Sequence, residues 1–335
     1  MKQKTIDIKS LTIGYKTRCG AKIVAKDINT KLFSGELTCI LGANGVGKST
    51  LLKTLSSFIP KIEGQINILG KDIETYSEQS IATKISVVLT EKCDVHNMSV
   101  RELVSMGRSP YTGFWGKLRK EDEEIIEKSM EEVKIDHMAD KMIDTLSDGE
   151  RQKTMLAKAL AQDTPIIFLD EPTAFLDFPS KVEIMLLIHH IARHKAKTLF
   201  VSTHDLELAL QLADRIWLMD KNGITVGTPE DLSLRGNLSH FFPKKDINFD
   251  MNTGLFRLSA NYHSKIKLVG DGQKYLMIKK ALQRNGIEAS RDIEQDMMFI
   301  ESGNLAGKGI IVHISKEKFF EVKSIDAMLD LIIKH

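Results

Sequence analysis

Residues 38–50 read TCILGANGVGKST, and this stretch decides the fold. TCIL is a short apolar run closed by glycine, the pattern of a buried strand. STLLKTLSSF, residues 49–58, carries its leucines at helical spacing. The turn between them fits G-x-x-x-x-G-K-[ST], in the strand-to-helix setting that this pattern requires. Gly42, Gly45 and Gly47 let the backbone curl tightly. The loop's N–H groups, through Ala43, Asn44 and Val46, then face a common point where a helix N-terminus adds partial positive charge. Lys48 is placed to reach between the β and γ phosphates of a nucleotide. The Ser49 hydroxyl is placed to ligate Mg²⁺, with Thr50 supporting the phosphates.

Working outward, further short apolar runs end in turn residues: QINILG (65–70), ISVVL (85–89), PIIFLD (165–170), KTLFVS (197–202) and RIWLMD (215–220). Helical patterns separate most of them, which implies an α/β sheet of buried strands. In PIIFLDEP, Asp170 ends an apolar strand, where it would hold Mg²⁺ through its water shell. Glu171, one residue on, is placed to polarise an attacking water. Phosphoryl transfer needs mainly positioning and charge stabilisation, so one carboxylate suffices. Between about 95 and 160 the sheet pattern gives way to charged helical segments, a helical insertion.

Composition sets bounds on the rest. The chain has 335 residues, 42% hydrophobic and 27% charged, an ordinary globular balance for one large domain or two. A net charge of +2 gives no reason to expect nucleic acid as a partner. Cys19, Cys39 and Cys93 form no CxxC pair, which fits a reducing compartment. The start, MKQKTIDIKS, lacks a signal-peptide pattern, and no apolar run approaches the ~18 residues of a membrane span. Any membrane role is therefore expected to come from docking.

LSDGERQK, 146–153, narrows the class, because it resembles the signature sequence of ABC ATPases. The resemblance covers about residues 4–235. It implies an ABC ATPase domain over 1–240, a mixed sheet core with a helical subdomain at about 95–160, using ATP and Mg²⁺. Ser147, Asp148, Gly149 and Glu150 would contact the ATP held by the opposite subunit of a homodimer. Ser147 and Glu150 also fit a plain capping box. The resemblance further implies that Asp177 in AFLD crosses between the two sites. His204 in VSTHD would contact the γ-phosphate, and Tyr15 in LTIGY would stack on adenine. The chain departs from the family at two places. Thr90 stands where a Gln is usual, with Glu91 next, and either could substitute. Asp148 replaces the usual Gly and is expected to turn to solvent or toward Arg151.

NMSVRELVSMGRSPYTGFWGKL, 97–118, resembles importers of iron chelates, haem and cobalamin. That implies a separate integral-membrane permease, a substrate-binding protein acting indirectly, and a peripheral place on the cytoplasmic face of a prokaryotic plasma membrane. Tyr111 and Trp115 are expected at the permease contact. A soluble ABC ATPase acting on nucleic acid or ribosomes is the alternative. A single cassette with no basic arm and no long coiled coil speaks against it.

A break near 240 precedes a second, small α/β unit over 245–335, expected in the order β-α-β-β-α. Three roles fit it: binding a small regulatory ligand that inhibits transport, dimerisation that stabilises the ATPase pair, or a packing appendage, with regulation or dimerisation expected.

Overall fold

The computed structural model describes residues 3–17, 20–90, 97–113, 116–241, 247–250, 255–258, 261–293, 298–303, 309–315 and 318–333. The chain divides into two compact units, Met1–Phe241 and Phe242–His335.

The first unit runs β1 (Lys4–Thr17), β2 (Gly20–Phe33), β3 (Leu37–Gly42), α1 (Lys48–Leu55), β4 (Glu63–Ile68), β5 (Lys71–Asp72), α2 (Glu78–Ala82) and β6 (Ile85–Val88). It continues α3 (Val100–Ser105), α4 (Lys120–Glu132), α5 (Asp148–Ala161), β7 (Ile166–Asp170), α6 (Phe178–His194), β8 (Thr198–Ser202) and α7 (Leu206–Leu212). It closes with β9 (Arg215–Asp220), β10 (Gly223–Gly227), α8 (Pro229–Leu234) and α9 (Asn237–Phe241).

Two sheets result. The larger has the order β10-β9-β3-β8-β7-β6, parallel except for β10. Its inner strands β7 and β8 are buried along their whole length, as expected of parallel strands covered on both faces. The smaller is antiparallel, in the order β2-β1-β4-β5. QINILG therefore does not join the α/β sheet as its apolar run suggests; it forms β4 and pairs with β1. Strands β1 and β2 were not legible as strands. Register shifts interrupt their pairing, and Ser10 sits at φ 44 within β1, so the two-residue alternation breaks.

Helix α1 is held between these sheets. Leu51, Leu52 and Leu55 join one core with Ile6, Ile8, Ile66 and Ile68 of the antiparallel sheet and with Phe168, Phe200 and Trp217 of the parallel one. Phe200 packs edge-on to Phe168 at 5.5 Å and lies 4.8 Å from Trp217. Such pairs contribute about 0.5–1.5 kcal/mol each beyond burial. The helix that opens at Lys48 is thus fixed on two sides.

Strands β6 and β7 are adjacent and parallel, and the helical insertion enters between them in sequence. Arg108 ties it together from inside. Its Nε donates to Asp122 Oδ1 at 2.8 Å and its Nη1 to the Ala161 carbonyl at 2.8 Å, with both side chains buried. The Arg119 backbone N–H, together with Arg108, holds the Asp122 carboxyl below the usual carboxylate range.

The second unit contains a hairpin of β11 (Ile247–Asp250) and β12 (Leu255–Leu258). It continues β13 (Ser264–Val269), α10 (Gly272–Arg284), β14 (Ile287–Ser290), β15 (Phe299–Glu301), β16 (Ile310–His313), β17 (Phe319–Val322) and α11 (Ile325–Ile333). Its five-stranded sheet has the order β14-β13-β15-β16-β17. Ile266, Leu268, Ile300, Ile310 and Val312 pack on Ile278 and Leu282 of α10 and Met328 of α11. The expected β-α-β-β-α order omits the hairpin, β14 and β17. Strand β14 spends only Ile287 and Ala289 on the core, and β17 is an edge strand with Phe319 and Phe320 exposed. Neither gives a clear apolar run.

Candidate nucleotide site

The turn from β3 into α1 depends on glycine at two places. A Cβ on Gly42 would lie 2.6 Å from the Met219 carbonyl oxygen. Gly47, at φ 117, would press one to 2.3 Å from Val24. Ala43, Asn44 and Gly45 are exposed at the tip of the loop. Lys48 is buried, and its Nζ donates to the Gly42 and Ala43 carbonyls at 2.9 and 3.3 Å. Burial pulls its ammonium below the ordinary value, while Glu171 and Asp170 oppose that shift. The loop thus holds a cation at its mouth.

The facing wall comes from the ends of β7 and β8. Asp170 Oδ1 accepts from Ser49 Oγ at 3.2 Å and from Ser202 Oγ. Glu171 has φ 50, a conformation that costs a non-glycine residue about 1–3 kcal/mol. Its N–H is held by the Ser202 carbonyl and Oγ, each at 3.0 Å. Glu171 Oε1 lies 2.7 Å from His204 Nε2, which lies 3.4 Å from Lys48 Nζ. A proton on that nitrogen is donated to Glu171; without it, the nitrogen accepts from Lys48. One mouth therefore gathers a cation, an imidazole and a carboxylate beside a second carboxylate shared by two hydroxyls.

Tyr15 is 43% exposed, which excludes a plain core aromatic, and its hydroxyl is 3.0 Å from Thr50 Oγ1. Thr90 Oγ1 donates to the Asp170 carbonyl at 2.9 Å, which ties the end of β6 to the site. Glu91 and Trp115 lie outside the described residues.

The remaining sequence-predicted residues stand apart from this cluster. Ser147 caps α5 in a reciprocal box with Glu150. The Ser147 N–H and hydroxyl, with Lys141, push the Glu150 carboxyl down to about 2. Asp148 is exposed, and Arg151 donates instead to the Ile143 carbonyl at 3.3 Å. Asp177 caps α6 by accepting from the Ser180 N–H at 3.0 Å. Among the described residues, no hydrogen bond or ion pair joins Ser147–Glu150 to Lys48, Asp170, Glu171 or His204. Sequence reasoning missed Ser202, which holds both Asp170 and Glu171. Its signal was a polar residue closing an apolar strand two positions before His204.

A strand-to-helix phosphate loop, an acidic strand end and a capped signature helix define an ATP-binding cassette. The ABC transporter family matches residues 25–174, and the iron ABC transporter C-terminal domain matches 263–332. An uncharacterized ABC transporter ATP-binding protein of Methanocaldococcus jannaschii is 38% identical over 75% of this chain and 86% of its own length. The ferric enterobactin transport ATP-binding protein of Escherichia coli is 36% identical over 66% of this chain and 81% of its own. Among solved structures, a chain described as of metal-chelate ABC transporter type, in an inward-facing conformation, aligns with TM-score 0.62 and 26% identity, covering 72% of this chain and 89% of that one. The chain belongs to the ATP-binding proteins of ABC transporters, which are ATPases. No described helix is long and apolar enough to cross a membrane.

Proposed function

We propose that this chain is the ATP-hydrolysing motor of an importer for iron chelates, acting through a separate integral-membrane permease. The observation that carries the reading is the convergence of Lys48, His204 and Glu171 beside the Ser49–Asp170 pair. The E. coli relative, named for ferric enterobactin transport, and the match to the iron transporter C-terminal domain support the cargo class.

In this reading Lys48 exchanges its loop carbonyls for the β and γ phosphates, and the half-exposed Tyr15 offers a ring face to adenine. Glu171 orients the attacking water and draws its proton, while His204 stays on the γ-phosphate. Ser49 Oγ and Asp170 Oδ1 are hard oxygen donors, the set that Mg²⁺ prefers. Held by these two residues, the ion would supply positive charge against the phosphates during transfer.

The signature residues serve a second copy of the chain. Among the described residues outside its own helix, a Cβ on Gly149 would meet nothing closer than 3.6 Å, so local packing does not demand a glycine there. A phosphate bound to a facing cassette would use that bare backbone and the N-terminus of α5, with Asp177 between the two sites. Thr90, bonded to the Asp170 carbonyl, precedes the insertion in sequence, and in the insertion a cavity of about 410 Å³ beside Tyr111 and Arg119 would receive the permease. The protein then works at the cytoplasmic face of a prokaryotic plasma membrane, fed indirectly by a substrate-binding protein. The unit over 245–335 regulates the motor or helps it dimerise.

The test is a pull-down of tagged protein from detergent-solubilised native membranes, with the co-purifying proteins identified by mass. A polytopic permease is expected. Ribosomal partners without a membrane protein would overturn the transport reading and leave the ATPase chemistry standing.

A further inference from the structure

We propose that the second unit holds an anion-binding crevice of its own, at the C-terminal ends of β13 and β15, for a small molecule bearing a phosphate or carboxylate group. These two strands are adjacent and parallel, with Lys267 opposite Phe299 and Val269 opposite Glu301. The chain leaves β13 through Gly270–Gly272 and α10 to reach β14 on one side. It leaves β15 to reach β16 on the other. Where connections part in this way, a crevice opens beyond the carboxyl ends of the strands, the usual ligand position in open α/β sheets.

The turn itself is suited to an anion. Gly270 has φ 130 and Gly272 φ 71, conformations open to glycine and strained for other residues. Helix α10 comes next, with 13 residues and no acidic residue in its first turn. Asp271 occupies the N-cap, yet its side chain makes no capping hydrogen bond. Among the described residues, the N–H groups of Gly272 and Gln273 have no hydrogen-bond partner, and with the positive end of the helix they are left to solvent or to a ligand.

Ser302 supplies the independent observation. It comes directly after β15, is fully buried, and its Oγ has no hydrogen-bond partner. Its backbone N–H donates to the Val269 carbonyl at 2.8 Å, which fixes it against the end of β13. A Cβ on Gly270 would fall 1.8 Å from Ser302 Oγ, so the hydroxyl is aimed into the glycine turn that opens α10. A buried hydroxyl without a partner is costly and calls for one. An oxyanion that accepts from Ser302 Oγ and from the N–H groups of Gly272 and Gln273 satisfies both sets of donors. The exposed Asp271 carboxylate opposes any such anion and limits its affinity.

The experiment uses the full chain with its phosphate loop saturated by a non-hydrolysable ATP analogue and Mg²⁺. Equilibrium dialysis then measures radiolabelled inorganic phosphate and, separately, succinate. One further equivalent of anion per chain is expected; preference for phosphate assigns a phosphate ester, and preference for succinate a carboxylate. Ser302→Ala should weaken it about tenfold, equivalent to about 1.4 kcal/mol. Asp271→Asn should tighten it, with the ATP analogue bound as before in both variants. Should Ser302→Ala melt early, the exposed Asp271→Asn decides alone. Absence of any further equivalent, or anion binding that Asp271→Asn leaves unchanged, would overturn the site. Failure of the analogue to bind would instead count against the ATPase reading, so the two outcomes are distinct.

Discussion

The two units share a backbone device and differ in what surrounds it. In the first, parallel β3 ends in the glycine turn 42–47 and opens α1; in the second, parallel β13 ends in the turn 270–272 and opens α10. Around the first, neighbouring strands place Asp170, Glu171, Ser202 and His204, and the helix adds Lys48. Around the second stand one unpartnered hydroxyl and one exposed carboxylate. A glycine turn before a helix points backbone N–H groups and the positive helix end at one place, which suits an anion. In the proposed function, the groups added at the ends of adjacent strands are what let the first site activate water.

The largest effect expected from testing this contrast is on stability. The first unit carries an insertion that Arg108 and Asp122 anchor from inside, and the second unit has no counterpart among its described residues. Arg108→Ala strands a buried carboxylate and should cost the first unit about 3–5 kcal/mol. Calorimetry should show that transition lowered and the second unit's unchanged; a shared shift would mean the units do not melt separately.

Next comes nucleotide affinity. Lys48→Ala removes the cation that the proposed function sets between two phosphates, and the expected loss is about 10²-fold or more in ATP affinity. Phosphate taken up by the second unit should persist in that variant. Loss of both would place all anion binding at the phosphate loop.

A smaller effect belongs to the signature helix. Ser147→Ala deletes a cap and should cost about 0.5–2 kcal/mol, read from urea midpoints. Its pH dependence has a definite sign. Glu150 is depressed to about 2 from an ordinary 4.5, so its contribution is full above 4.5 and fades as pH falls toward 2. The difference between wild type and Ser147→Ala should therefore shrink across that window. A difference that grows on acidification would contradict the capping geometry.

The parts legible in the sequence were those where chemistry and local geometry coincide. GANGVGKST, LDEP and LSDGE each join a motif to a strand end or a helix start, so their residues could be placed before the fold was known. The β1–β2 hairpin was hidden because bulges break its alternation, and β17 because an edge strand exposes its aromatics. Ser202 and Ser302 escaped for another reason. Each matters through a partner far away in sequence, Asp170 in one case and Gly270 in the other, and a lone serine carries no spacing that announces such a contact. Arg108 lay inside a stretch read for its resemblance to importers, and the structure adds that it anchors the insertion.

The central claim is that Glu171, held at its strained position by Ser202 and His204, activates water for ATP hydrolysis. The direct measurement is ATP turnover and ATP affinity of Glu171→Gln, made side by side with wild type. Turnover should fall about 10²-fold or more while affinity is kept and ATP-bound dimers accumulate. Turnover that remains at the wild-type rate would contradict the assignment.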